Sequence, residues 1–429
     1  MKNGTYEVLF NEISKLKVID THEHLPFSEE NRINDNHDLL SEYLTHYLRS
    51  DVISSGLKQS DYQTVMDTSK NIIDRWNIVE PFWEFCRYTG YGRTLDIAVE
   101  KIYGVSGINR NTIEEVNSLY LQNKKPGHFE RVLHDLCNIE VSLLDVGPYY
   151  QLRESPFFKY IWQPPMNYIM PIDYALFSKI KDRYGISVKN LDDFICALET
   201  EMAEVVKLHD VRVIKSAIAY MRTLRFEKVD YSEAKDLFAV ALNKWENEQK
   251  AQNRPPEFPK ALQDFMMHRV LKVANELNLT FQIHTGILEG NGAVLSNSNP
   301  ELLTNLFLEY PNVDFDLFHI SYPYQGSACA LCKMFPNVYI DMCWAHIISP
   351  SASVLALNDF LDAVPYNKIS AFGGDYLFVD GVYGHLYISR QNIARSLAEK
   401  VRHGVFGENK AVEIAKAMYY DNPKRIFKL

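Results

Sequence analysis

Eight short runs rich in β-branched and aromatic residues recur along the chain with helical stretches between most of them, and this alternation constrains the fold more than any other feature. The runs are residues 16–20 (LKVID), 139–144 (IEVSLL), 168–172 (YIMPI), 211–218 (VRVIKSAI), 279–283 (LTFQI), 313–318 (VDFDLF), 338–342 (VYIDM) and 369–372 (ISAF). Most are continuously apolar, as strands covered on both faces require. Helical patterns at 192–208, 258–277 and 300–310 supply crossovers. Eight strands joined by crossover helices predict an α/β fold, a (β/α)8 TIM barrel. A chain of 429 residues suits one such barrel spanning 1–429 with an insertion.

The first and second runs lie too far apart for a single crossover. Residues 27–135 read as helical and aromatic, with segments such as EYLTHYLRSDVI and SKNIIDRWNIVEPFWEFCRYTG. They are expected to form a helical insertion after strand 1 that caps the catalytic end and excludes water. Its many Trp, Tyr and Phe are read as its own core. A second insertion at about 220–257 reads as a surface helix and a charged loop.

Other classes are disfavoured. The net charge of -10 is spread along the chain, whereas a nucleic-acid footprint needs clustered positive charge. No apolar run approaches the ~18 residues of a membrane span, and the N-terminus lacks a signal core. Six cysteines without framework spacing, including the isolated Cys329-x-x-Cys332, favour the cytoplasm. The aromatic insertion is compatible with a homo-oligomer.

Active-site residues of such barrels project from the C-terminal ends of different strands. His22 and His24 follow the first run, Lys215 lies near the end of the fourth, His284 ends the fifth, His319 ends the sixth, and Asp375 follows the eighth. Barrel closure is expected to gather them at one mouth. Residues i and i+2 of an extended segment point to one side, so His22 and His24 suit a single divalent ion. Asp375 suits a ligand whose second oxygen handles a proton. His284 and His319 suit the remaining shell or the polarising of a substrate oxygen. Lys215 has three readings: a carbamylated metal ligand, a clamp for a substrate carboxylate, or a structural ion pair. Arg222 and Arg225 after strand four, Tyr322 and Tyr324 after His319, His346 after strand seven, and His385 and Arg390 after Asp375 are pocket candidates.

The motifs VIDTHEHLP, VIKSAIAY, FQIHTG, DLFHISYP and FGGDYLF, taken in order, resemble the amidohydrolase superfamily, and more narrowly its amidohydrolase-related branch. The ending Asp421-Asn422-Pro423-Lys424-Arg425-Ile426-Phe427 resembles that family's final helix. The helical insertion is similar to that of uronate isomerases in the same superfamily. The resemblance implies His22 and His24 as ligands of the more buried metal, His284 as a ligand, Asp375 as ligand and proton shuttle, and His319 as ligand of a second ion or polariser of substrate. Lys215 occupies the position where binuclear members carry a carbamylated lysine.

The expected function is metal-dependent hydrolysis of an amide, lactone or ester-like bond in a small, carboxylate-compatible substrate. The expected cofactor is one or two divalent ions, Zn first, with Mn, Fe or Ni also suited to these ligands. The alternatives are a decarboxylase or a sugar-acid isomerase on the same site, and an inactive binding barrel.

Overall fold

The computed structural model describes residues 4–147 and 154–429. One eight-stranded sheet contains β1 (Val18–Glu23), β2 (Ile139–Asp145), β3 (Phe158–Trp162), β4 (Val213–Ser216), β5 (Thr280–Ile283), β6 (Asp314–Leu317), β7 (Val338–Asp341) and β8 (Ile369–Ser370), in that spatial order. The recorded pairs are parallel. The chain past β8 returns to β1, where Thr21 N donates to Phe372 O at 3.1 Å and Asp375 N donates to His22 O at 2.8 Å. The fold is the (β/α)8 barrel read from the sequence.

The third strand corrects that reading. Residues 168–172 do not pair; Tyr168 instead closes a helical turn, Pro165–Tyr168, and bonds through its hydroxyl to Glu201. Pro165 starts that turn, where its missing N–H is no loss, and Pro171 could not donate to a ladder. The strand is FKYIW, ten residues earlier, paired through Ile161↔Val213 and Trp162↔Ile214. A short buried apolar run looks the same as strand or helix.

The chain divides into two compact units. The second comprises Asp145–Ile287, Val294–Ile340 and Lys424–Leu429. Its core packs Phe281 and Phe307 against Phe315, with ring centroids 6.2 and 5.0 Å apart. Burying each such side chain contributes about 1.5–3 kcal/mol. Cys332 of the C-x-x-C pair lies on the Gln325–Met334 helix and donates to Val338 O, a packing role.

The first unit comprises Met1–Leu144, Leu288–Ala293 and Asp341–Pro423. Between β1 and β2 its described secondary structure is helical, including Leu39–Tyr43, His46–Ser54, Ile72–Cys86, Gly90–Ala98 and Ile113–Gln122. Asp38 and Ser41 form a reciprocal capping box at the first of these. Trp76, Trp83 and Tyr120 are buried as this region's own core. The Gly90–Ala98 helix packs on the long Val379–Arg402 helix so closely that a Cβ on Gly384 would meet Thr94 O at 2.1 Å.

A buried polar cluster lies within this unit. Arg32 is 1% and Glu42 7% exposed. Burial pushes the Glu42 carboxyl up to about 8; Arg32 pulls it down and Asp380 pushes it up again. Folding therefore binds a proton at Glu42 between its ordinary value of 4.5 and about 8, and this group's contribution to stability falls as pH rises through that window. Glu42→Gln removes that titration. Its unfolding free energy relative to wild type should rise by roughly 2–4 kcal/mol between about pH 5 and about pH 9, read by urea denaturation. Parallel pH curves for the two proteins would show that Glu42 does not titrate on folding.

Candidate metal centre

The centre starts from the alternation of β1. Asp20, His22 and His24 share one side of the extended chain. Asp20 is buried and held by three donors: Gly374 N at 3.0 Å, Ser142 Oγ at 3.2 Å and His22 N at 3.3 Å. His22 is fully buried, and His24 retains 29% side-chain exposure. Asp375, 6% exposed, follows Gly373 and Gly374 and takes the left-handed conformation at φ 55°.

These residues converge. His22 Nε2 and His24 Nε2 are 3.2 Å apart. Asp375 Oδ1 lies 3.7 Å from the first and 3.3 Å from the second. Three donors placed tetrahedrally about one ion at ~2.0–2.1 Å would be ~3.3 Å from each other. The spacing and the imidazole–carboxylate chemistry both fit a divalent metal.

A second carboxylate supports the triad. Glu23, between the two histidines, is fully buried, accepts from Tyr376 N at 2.8 Å and shares a hydrogen bond with Asp20. Burial raises both carboxyls, Asp20 to about 6 and Glu23 well above its ordinary value, the Asp20 charge adding to the second. Three donors surround Asp20, so the shared proton belongs on Glu23. A Cβ on Gly374 would lie 1.8 Å from Glu23 Oε1, which explains why no side chain stands there. Sequence reasoning passed over Glu23, whose side chain meets Asp20 across an irregular stretch of the β1 ladder. It also passed over Tyr47, counted with the insertion's core; its hydroxyl donates to Asp375 O at 2.6 Å. Burial raises that phenol far above its ordinary value, so it remains a donor.

In the second unit, His284 and His319 face each other. His284 Nδ1 and His319 Nε2 are 3.2 Å apart, and His284 Nε2 lies 2.8 Å from Ile287 O, which assigns the proton to Nε2 and leaves Nδ1 as the ligating or accepting atom. His319, Ile320 and Ser321 are three successive non-glycine residues at positive φ (61°, 48° and 53°). Such conformations cost about 1–3 kcal/mol each and concentrate at functional sites. Lys215 is buried, with Nζ 3.6 Å from Asp145 Oδ2 and 5.1 Å from the Phe318 ring centre.

The remaining candidates are placed as follows. Arg222 binds Asp264 at 2.7 Å, Gln263 and the carbonyls of Thr223 and Arg225, so its guanidinium is committed to its own unit. Arg225 is exposed and pairs with Glu227. Tyr322 is half-buried; its amide donates to His319 O and its carbonyl accepts from Ile287 N. Tyr324 hydroxyl reaches Leu295 O at 3.4 Å. His346 is fully buried, with Nε2 2.9 Å from Ala371 O, and burial lowers it to about 4, a neutral packed imidazole. His385 Nδ1 is 3.1 Å from Gly374 O in the turn that leads to Asp375, and Arg390 donates to Cys137 O.

Fold and ligand set together define a (β/α)8 barrel with a candidate metal centre joining its first and last strands. Residues 233–429 match the Amidohydrolase family, which bears out the amidohydrolase-superfamily resemblance read from the motifs. Protein fluG of Emericella nidulans is 28% identical over 224 residues, 50% of this chain and 25% of that protein. The chain thus spans about a quarter of the length of the curated relative it matches. Uronate isomerase from Thermotoga maritima has the same fold at TM-score 0.81 and 18% identity, over 100% of this chain and 98% of that one. Glucuronate isomerase from Caulobacter crescentus matches at TM-score 0.73 and 16% identity, over 100% and 95%. Among the described residues, no helix is long and apolar enough to cross a membrane.

Proposed function

We propose that this protein is a metal-dependent enzyme that hydrolyses an amide, lactone or ester-like bond of a small molecule. The observation that carries the reading is the convergence of His22 Nε2, His24 Nε2 and Asp375 Oδ1 within 3.2–3.7 Å. When bound there, a divalent ion, Zn first, supplies Lewis acidity and makes water a stronger acid. His22, His24 and Asp375 would hold the ion, and the Asp375 carboxylate receives the proton of the attacking water. It then returns that proton to the leaving group. Glu23 and Asp20 keep β1 and the Asp375 turn in register. His284 and His319 are assigned, by the family resemblance, to a further ligand and to polarising the substrate carbonyl. Lys215 is assigned to the unmodified ammonium form: Asp145 beside it stabilises a cation and would repel a carbamate. Protein labelled with heavy bicarbonate is therefore expected to show no carbamate signal by nuclear magnetic resonance.

The resemblance in fold to two uronate-type isomerases favours a second reading, aldose–ketose isomerisation of a sugar acid, with decarboxylation as its neighbour. A screen of N-acyl amines, lactones and sugar acids finds the substrate. Turnover in isotopic water then separates the readings. Hydrolysis is expected to place heavy oxygen in the new acid. Deuterium at carbon with no heavy oxygen in the product would reject hydrolysis.

A further inference from the structure

Residues 375–380 lead from the last strand into the Val379–Arg402 helix, and residues of the inserted helical region hold this segment at both ends. At its start, Asp375 has φ 55°. A non-glycine residue pays roughly 1–2 kcal/mol for that conformation, which persists only where the surroundings fix it. Both backbone groups of Asp375 are fixed: its amide donates to His22 O at 2.8 Å, and its carbonyl accepts from the Tyr47 hydroxyl at 2.6 Å. Tyr47 is itself immobilised, stacked on Trp344 at 4.6 Å and Tyr91 at 5.1 Å, with Tyr376 edge-on at 5.3 Å. At the other end, the fully buried Asp380 carboxylate accepts from Tyr43 at 2.8 Å and Tyr103 at 2.6 Å, and lies 2.6 Å from His128 Nε2. The Tyr43 ring also stacks on Phe378 within the segment, at 5.2 Å.

We propose that Tyr47, together with the Tyr43–Tyr103–His128 cradle of Asp380, forms a clamp whose task is to aim the Asp375 carboxylate at His22 and His24. The mechanism is local geometry. Rotation about φ of Asp375 carries its Cβ and its carbonyl together, so donors and acceptors that hold both backbone groups also hold the Cβ from which the carboxylate reaches the histidines. Without the Tyr47 hydroxyl, Asp375 is free to relax toward an ordinary backbone region and to withdraw its oxygen from the histidines. These are positioning residues, acting through Asp375. The inserted helices would thereby contribute to the metal centre. The proposal rests on the metal reading above.

Tyr47→Phe keeps the stacked ring and deletes one hydroxyl. Tyr62→Phe is the matched control, because Tyr62 also donates to a backbone carbonyl of the inserted region, Leu44 O at 3.0 Å, away from Asp375. Titration of the metal-free protein with Co2+ is expected to show affinity about 10-fold weaker for Tyr47→Phe, with a changed visible absorption band. Tyr62→Phe is expected to match wild type in both. Tyr43→Phe should weaken Co2+ binding in the same direction, and an unchanged value would overturn the Asp380 half of the clamp. Equal Co2+ affinities across Tyr47→Phe, Tyr62→Phe and wild type, or equal weakening in the two variants, would overturn the proposal. Amide hydrogen exchange without metal gives an independent reading: the Asp375 and Tyr376 amides should exchange faster in Tyr47→Phe and not in Tyr62→Phe, and unchanged exchange in Tyr47→Phe overturns the clamp. Wild-type protein that takes up no Co2+ would reject the metal reading, and exchange would still decide the clamp.

Discussion

Asp375→Asn should retain most of its metal and lose most of its turnover, with kcat lower by about 10²–10⁴-fold. The substitution preserves shape, and asparagine tolerates the left-handed backbone at this position. The amide donation to His22 O and the acceptance from Tyr47 involve only the main chain and survive. The amide oxygen can still occupy the ligand position. What disappears is an oxygen able to receive a proton. Metal analysis beside steady-state kinetics on the screened substrate separates these effects. Near wild-type turnover would remove Asp375 as proton carrier. His22→Ala, by contrast, should lose the ion itself, because it deletes one of three converging donors.

Gly374→Ala should damage the same turn from the backbone side. The added methyl would lie 1.8 Å from Glu23 Oε1, and Glu23 cannot simply move aside, since Tyr376 N and Asp20 hold it. Overpacking of this kind costs about 1–3 kcal/mol, and the displaced Glu23 and Tyr376 should disturb Asp375 between them. Reduced urea stability with weakened metal uptake is expected. Combining it with Glu23→Ala should recover part of the loss, a non-additivity of at least about 0.5 kcal/mol. Strict additivity in the double-mutant cycle would show that the clash does not govern the effect.

The barrel was legible because its strands, buried on both faces, write continuous apolar runs. The exception, β3, shows the limit of that signal. FKYIW exposes Lys159 and reads weakly, while YIMPI reads strongly but contains Pro171 and contributes only Tyr168, to the end of a helical turn. The convergence of His22, His24 and Asp375 was legible from two local facts, the i, i+2 spacing of the histidines and the polar residue after the eighth run. The pairing of Arg222 was not legible, since proximity to a strand end says nothing of a partner such as Asp264, met 42 positions later. Tyr47 could not be found by spacing at all. Its hydrogen bond goes to a main-chain carbonyl 328 positions away, which any residue type could have supplied.

The bond between Tyr376 N and Glu23 spans 353 positions, and Asp375 meets His22 across the same separation. Loop-closure entropy must be overcome before contacts of such separation can form. A chain emerging from the ribosome thus carries two histidine donors for a long interval without their carboxylate. Under the proposed function, stable capture of an ion would await the arrival of residue 375 and its return to the first strand. Metal uptake would in this sense be a completion signal, and the rate at which refolding protein acquires Co2+ colour should report when the first and last strands meet.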